Sequence, residues 1–156
     1  MINKGMVMKV LLLAIVLHFG LGSVAYALDD LLSKEIVVYK NPECGCCKKW
    51  INYLKDDGYN VTAIDTRNVY AEKERLGVPE KLAACHTAVI DGYVVEGHVT
   101  TRDIKRLLLF RPEVTGIAVP DMPVGTPGME RGNAREPYKV MSFDKQGNIE
   151  VFVSHD

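Results

Sequence analysis

Beyond residue 27 the chain has no apolar run long enough to cross a bilayer, which takes about 20 residues, and no internal repeat. Charge of neither sign is in surplus: the full chain has 19 basic and 20 acidic residues, and residues 28–156, without Lys4 and Lys9, have 17 against 20, a net charge of about −3. No basic stripe is present, which argues against a nucleic-acid partner gripped through its phosphates. There is no Ser-His-Asp set, no phosphate-cradling glycine loop and no carboxylate pair in a recognisable acid/base motif. Those gaps remove the usual sequence-level basis for hydrolase, nucleotide and glycoside chemistry. Cysteine is scarce too, at four residues. A stapling framework of disulfides spreads its cysteines along a chain; this one crowds three of them into four positions.

What is there begins with an export signal. Lys4 and Lys9 supply a positive start, residues 10–21 an apolar stretch and Ala25-Tyr26-Ala27 an A-x-A cleavage site. An uncleaved membrane anchor is the alternative, but the stretch is short and His18 interrupts it. The expectation is a signal peptide over 1–27 and one domain over 28–156, soluble after cleavage, in a compartment where disulfides persist.

The crowded cysteines are Cys44, Cys46 and Cys47, placed where a strand-like run (35–39) gives way to a helix-like one (48–57). Cys44 and Cys47 have C-x-x-C spacing, the mark of thiol–disulfide redox motifs near a βαβ pattern. The position before the second cysteine, often proline in thioredoxins, is a third thiol, Cys46. Two sulfurs suffice for a dithiol. A third at the same helix start suits a soft metal better. The helix N-terminus, with unpaired N–H groups and a positive dipole end, favours the thiolate forms that bind metal.

Periodicity orders the rest as β-α-β-α-β-β-α. A second strand is expected over 60–65, parallel to the first, and a helix over 69–76 ending at Gly77-Val78-Pro79. Asp91-Gly92 between two apolar runs signals a hairpin. Thr100 or Thr101 caps a helix carrying Ile104, Leu107 and Leu108. Residues 113–156 form an extension: a Gly/Pro/Met-rich stretch (116–137) with no periodicity, then a closing hairpin from runs at 138–143 and 149–153. A loop of that length is functional or disordered.

In a thioredoxin-like arrangement the loop entering the third strand faces the first helix's N-terminus. Thioredoxins place a cis-proline there, whereas this chain has Cys85-His86. That brings a fourth sulfur and an imidazole toward the three thiols. His98 follows the hairpin and either approaches the same end of the sheet or faces solvent. His155 has no motif and carries no expected role. Met122 and Met129 sit among Gly and Pro with no helix stripe to pack into, which weakens a core-filling role. Thiolates and thioethers select Cu(I), and imidazole also accommodates Cu(II). Zinc remains open because Cys₃His is a common zinc set. Cysteines this close together, with methionines beside them, fit copper better.

Several motifs together resemble the periplasmic CopG-type copper-resistance proteins. They are Val38-Tyr39-Lys40-Asn41-Pro42-Glu43-Cys44-Gly45-Cys46-Cys47-Lys48, Leu76-Gly77-Val78-Pro79 and Cys85-His86-Thr87-Ala88. Residues 92–99, 118–123 and 125–130 continue the likeness, which runs over about 35–152. The resemblance implies a thioredoxin-like domain whose C-terminal extension helps bind metal, and a cysteine-bridged multi-copper cluster beside the C-x-C-C motif. It also implies interconversion of Cu(I) and Cu(II) for detoxification and export. Carried over, Cys44, Cys46, Cys47 and Cys85 are cluster ligands, and His86, His98, Met122 and Met129 are ligands or immediate neighbours.

The sequence reading is thus a periplasmic copper-binding redox protein, monomeric, with Cys44, Cys46 and Cys47 as its redox-active residues. It would work with an electron-transfer partner or a copper efflux system. Its rivals are a thiol–disulfide oxidoreductase using Cys44 and Cys47, and a passive copper carrier.

Overall fold

A computed structural model describes residues 32–156; the expected signal peptide, with Lys4, Lys9 and His18, lies outside the described residues. Strand β1 (Glu35–Lys40) buries Ile36, Val38 and Lys40 and leaves the residues between them more open, the period of a strand lying on a core. Asn41-Pro42 stops it, and helix α1 (Gly45–Asp56) starts at once. Cys44 is its N-cap, the sulfur accepting the Cys47 N–H at 3.2 Å, a role usually held by a side-chain oxygen. Gly58, at φ +86°, takes the left-handed turn that ends the helix. The chain continues through β2 (Asn60–Asp65), α2 (Val69–Arg75) and a 3₁₀ turn (Glu80–Leu82). A hairpin follows, β3 (His86–Ile90) and β4 (Tyr93–Gly97), then α3 (Thr101–Phe110), capped by Thr100.

One sequence expectation fails here. The stretch 116–137 is not wholly irregular: Gly116–Val119 is a strand, β5, pairing parallel with β4. All four of its residues are buried, so it shows a continuous apolar run instead of alternation. Strands β6 (Tyr138–Phe143) and β7 (Ile149–His155) close the chain as the expected hairpin.

The seven strands of the described residues form one sheet in the order β2-β1-β3-β4-β5-β6-β7, with β1–β2 and β4–β5 parallel and the other pairs antiparallel. The mixed α/β fold is thioredoxin-like, and the extension widens its sheet. Side chains alternate between the two faces. On one face Trp50 of α1 meets His86, and its Nε1 donates to the Val99 carbonyl at 2.8 Å. Tyr53 of the same helix hydrogen-bonds Thr101 at the start of α3. The other face carries Thr87 and Glu96, reached by Lys73 of α2, and a cluster of Val78, Leu82, Val94, Ala118 and Phe143. Among the described residues no helix is long and apolar enough to cross a membrane.

Candidate metal centre

Three chain segments meet at the end of the sheet where β1 finishes: the β1–α1 turn, the approach to β3 and the residues after β4. The first brings Cys44, Cys46 and Cys47, the second Cys85 and His86, the third His98. The four sulfurs lie within 4.8 Å of one another, and so do Cys85 Sγ and ring nitrogens of His86 and His98. Cys46 Sγ is 3.5 Å from Cys44 Sγ and 3.7 Å from Cys85 Sγ. Cys85 Sγ is 3.3 Å from His86 Nδ1 and 3.1 Å from His98 Nε2. Cys44 and Cys47 are joined as a disulfide, while Cys46 and Cys85 are free.

Burial sets the electrostatics. Burial, with the neighbouring Cys46, pushes the Cys85 thiol up to about 12, so in the copper-free protein it keeps its proton at neutral pH. His86 is fully buried, and burial together with His98 and Lys73 holds it well below the usual histidine range. Burial lowers His98 as well, against the opposing pull of the Pro127 carbonyl and Glu130. Both rings are therefore neutral donors, the form that ligates metal. His86 Nε2 is buried with no hydrogen bond among the described residues. An orphaned nitrogen of this kind costs about 1–3 kcal/mol, and it is Nδ1 rather than Nε2 that faces the Cys85 sulfur. A fourfold sulfur group with two neutral imidazoles fits a soft ion such as copper.

The loop 120–137 closes over this group. His98 Nδ1 donates to the Pro127 carbonyl at 2.7 Å, leaving Nε2 with its lone pair beside Cys85. Gly128 lies flat on the start of α1: a Cβ there would fall 2.8 Å from the Cys46 carbonyl oxygen and 3.0 Å from Trp50 N. Its φ of +87° is a second reason for glycine. Met129, the next residue, is half-buried, and its N–H and carbonyl both bond within the loop. Met122 is 38% exposed in a left-handed turn. The loop thus seats Met129 next to Gly128, which lies against the start of α1, and leaves Met122 more open to solvent.

Sequence reasoning left His98 between two placements, and the structure buries it completely. It missed Glu130, whose carboxylate accepts the Gly128 N–H at 2.7 Å. What little burial this group has pushes it up, but that bond, its own N–H, Lys49 and His98 hold it below the usual range. It also missed the buried set of Lys73, Thr87 and Glu96 behind Cys85. One signal was available: Lys73 stands four residues from Val69, on the apolar stripe of α2. His155, given no role, binds Asp103 at 2.9 Å and stacks on Tyr138.

Residues 82–129, which span Cys85 to Met129, match a family described as "Protein of unknown function, DUF411". No curated protein matches the chain. Two solved structures do. "Copper resistance protein copG, Form 2" is 43% identical, covering 78% of this chain and 98% of its own, with a TM-score of 0.75. The Form 1 structure of the same title is 44% identical over 78% and 96%, with a TM-score of 0.73. With that identity over nearly the whole of those proteins, the chain belongs to the CopG family of copper-resistance proteins.

Proposed function

We propose that this is an exported, periplasmic copper-binding protein that interconverts Cu(I) and Cu(II) at a cluster bridged by Cys44, Cys46, Cys47 and Cys85. The observation that carries the reading is the convergence of four sulfurs and two neutral imidazoles at one end of the sheet. Copper is the cargo and substrate here. Bridging thiolates let few residues serve several Cu(I) ions, and His86 and His98 supply nitrogen that tolerates Cu(II). Met129, and more distantly Met122, add thioether from the loop. The titles of the similar structures support copper as the ion. An electron-transfer partner or an efflux system would complete the cycle.

The Cys44–Cys47 bond gives this proposal a condition. All four sulfurs become thiolates only after two electrons have entered that disulfide, so reduction precedes full loading. The same bond favours a second reading, a thiol–disulfide oxidoreductase with Cys46 incidental. Against it stand the third thiol 3.5 Å from Cys44 and the lack of proline before β3.

Anaerobic titration of the reduced protein with Cu(I), then oxidation followed by absorbance and electron paramagnetic resonance, tests the proposal. More than one copper per chain is expected, with a Cu(II) signal appearing on oxidation. A single zinc that copper cannot displace overturns the copper reading. Copper bound without redox change leaves a passive carrier.

A further inference from the structure

Behind the sulfur group, on the opposite face of the sheet from His86, lies a buried charged set that metal ligation does not use. Glu96 is fully buried, Thr87 likewise, and Lys73 is 4% exposed. Lys73 Nζ donates to Glu96 Oε1 at 2.6 Å and to Thr87 Oγ1 at 2.9 Å, and the Thr87 hydroxyl donates to Glu96 Oε2 at 2.5 Å. Glu96 also accepts the backbone N–H of Ala84 at 2.6 Å. Three donors, Lys73 Nζ, the Thr87 hydroxyl and the Ala84 N–H, thus hold the carboxylate in place.

A buried ion pair is a poor way to gain stability, since desolvation offsets its attraction, so its placement calls for a reason. The reason is what Glu96 holds. Ala84 immediately precedes Cys85, in a non-helical, non-strand segment with no proline to restrict it. Its methyl is wedged against Gly97, where an added Cβ would fall 2.8 Å away. Lys73 and Thr87 fix the carboxylate, the carboxylate fixes the Ala84 N–H, and bare Gly97 sets the approach. The next side chain is then committed to the space between Cys46 and His98.

We propose that Glu96, held by Lys73 and Thr87, is the positioning residue that aims Cys85 into the metal centre through the Ala84 N–H. The proposal rests on the reading of Cys85 as a ligand, and the experiment separates the two. In Lys73→Met/Glu96→Leu both charges go and the Ala84 N–H loses its acceptor. In Lys73→Met/Glu96→Gln both charges go but an amide oxygen remains. Metal-ligand supports of this kind are worth about 10–100-fold in metal affinity. Competition between each reduced protein and a chromophoric Cu(I) chelator should show at least a tenfold loss for the Leu pair. The Gln pair should stay within a few-fold of the parent.

A copper-free readout accompanies it. With Cys46→Ser in the background and Cys44–Cys47 bonded, Cys85 is the one reactive thiol among the four cysteines. Its alkylation should speed up several-fold in the Leu pair and remain slow in the Gln pair. Glu96→Asp, which keeps the charge pair but draws the carboxylate back by one methylene, takes the place of the Leu pair should that variant not fold. Its alkylation should also be faster than the parent's. Equal affinity and equal alkylation in the acceptor-lacking and acceptor-keeping variants overturn the proposal. Unchanged Cu(I) affinity in Cys85→Ser overturns the ligand reading instead, and the alkylation rates then decide the positioning role by themselves.

Discussion

Cys85 Sγ stands 3.1 Å from His98 Nε2 while the opposite nitrogen of the same ring is pinned by the Pro127 carbonyl at 2.7 Å. One imidazole therefore joins the sulfur group to the loop that covers it. Gly128 seals the joint. Gly128→Ala adds a Cβ 2.8 Å from the Cys46 carbonyl at a φ of +87° and should cost about 1–3 kcal/mol of stability. Urea unfolding of the copper-free protein measures that loss. Weaker Cu(I) binding should accompany it, and unchanged affinity would detach the loop from the site.

Cys46→Pro restores a thioredoxin-like Cys-Gly-Pro-Cys between Cys44 and Cys47. Copper loading should be lost or sharply reduced, with disulfide-reductase behaviour kept or gained, as read by metal analysis and an insulin-reduction assay. Unchanged copper stoichiometry would show that Cys46 is not a ligand and would favour the oxidoreductase reading.

Met122→Leu and Met129→Leu keep apolar bulk and remove the thioether. Since Met129 follows Gly128 and Met122 is 38% exposed, Met129→Leu should weaken Cu(I) affinity more than Met122→Leu. Thermal stability of the copper-free protein should hardly change. Equal, unaltered affinities and spectra in both singles and the double would leave cysteine and histidine as the whole donor set.

The copper-free protein should be most stable between about pH 6.5 and 9. Below the ordinary histidine value of 6.5 the unfolded chain takes up protons that buried His86 and His98 refuse, so stability falls with falling pH. Above the ordinary thiol value of 9.0 the unfolded chain releases a proton that Cys85 retains up to about 12, so stability falls as pH rises. Melting temperatures across that range test both limbs. Cys85→Ser should flatten the alkaline one, and if it does not, that thiol is not the group responsible.

Elements with a strong local signal were legible in the sequence. The strand-like run at 35–39, the Asp91-Gly92 turn and the cap at Thr100 or Thr101 each depend on neighbouring residues alone. The meeting of Cys85 with the C-x-C-C group was legible because thioredoxin-like topology dictates which loops share an end of the sheet. Strand β5 was not, since four buried residues between Pro112 and Pro120 offer no alternation to read. Nor was the Lys73–Glu96 pair: charged side chains are ordinarily solvated, and only the tertiary fold brings residues 23 positions apart together. The same holds for His155 and Asp103, 52 positions apart.

The covering loop leaves the sheet after β5 and re-enters it at β6, and those two strands are hydrogen-bonded neighbours. Both of its ends are therefore anchored on neighbouring strands of one sheet, where Ala118 pairs with Met141. A lid mounted this way cannot swing as a door does. It can only peel, breaking its internal bonds between Val124 and Glu136, between Gly125 and Met129, and the clasp on His98. An ion held beneath it would leave on the timescale of that local unfastening, so how long such a centre kept its cargo would depend on the loop's own fabric as much as on the sulfurs.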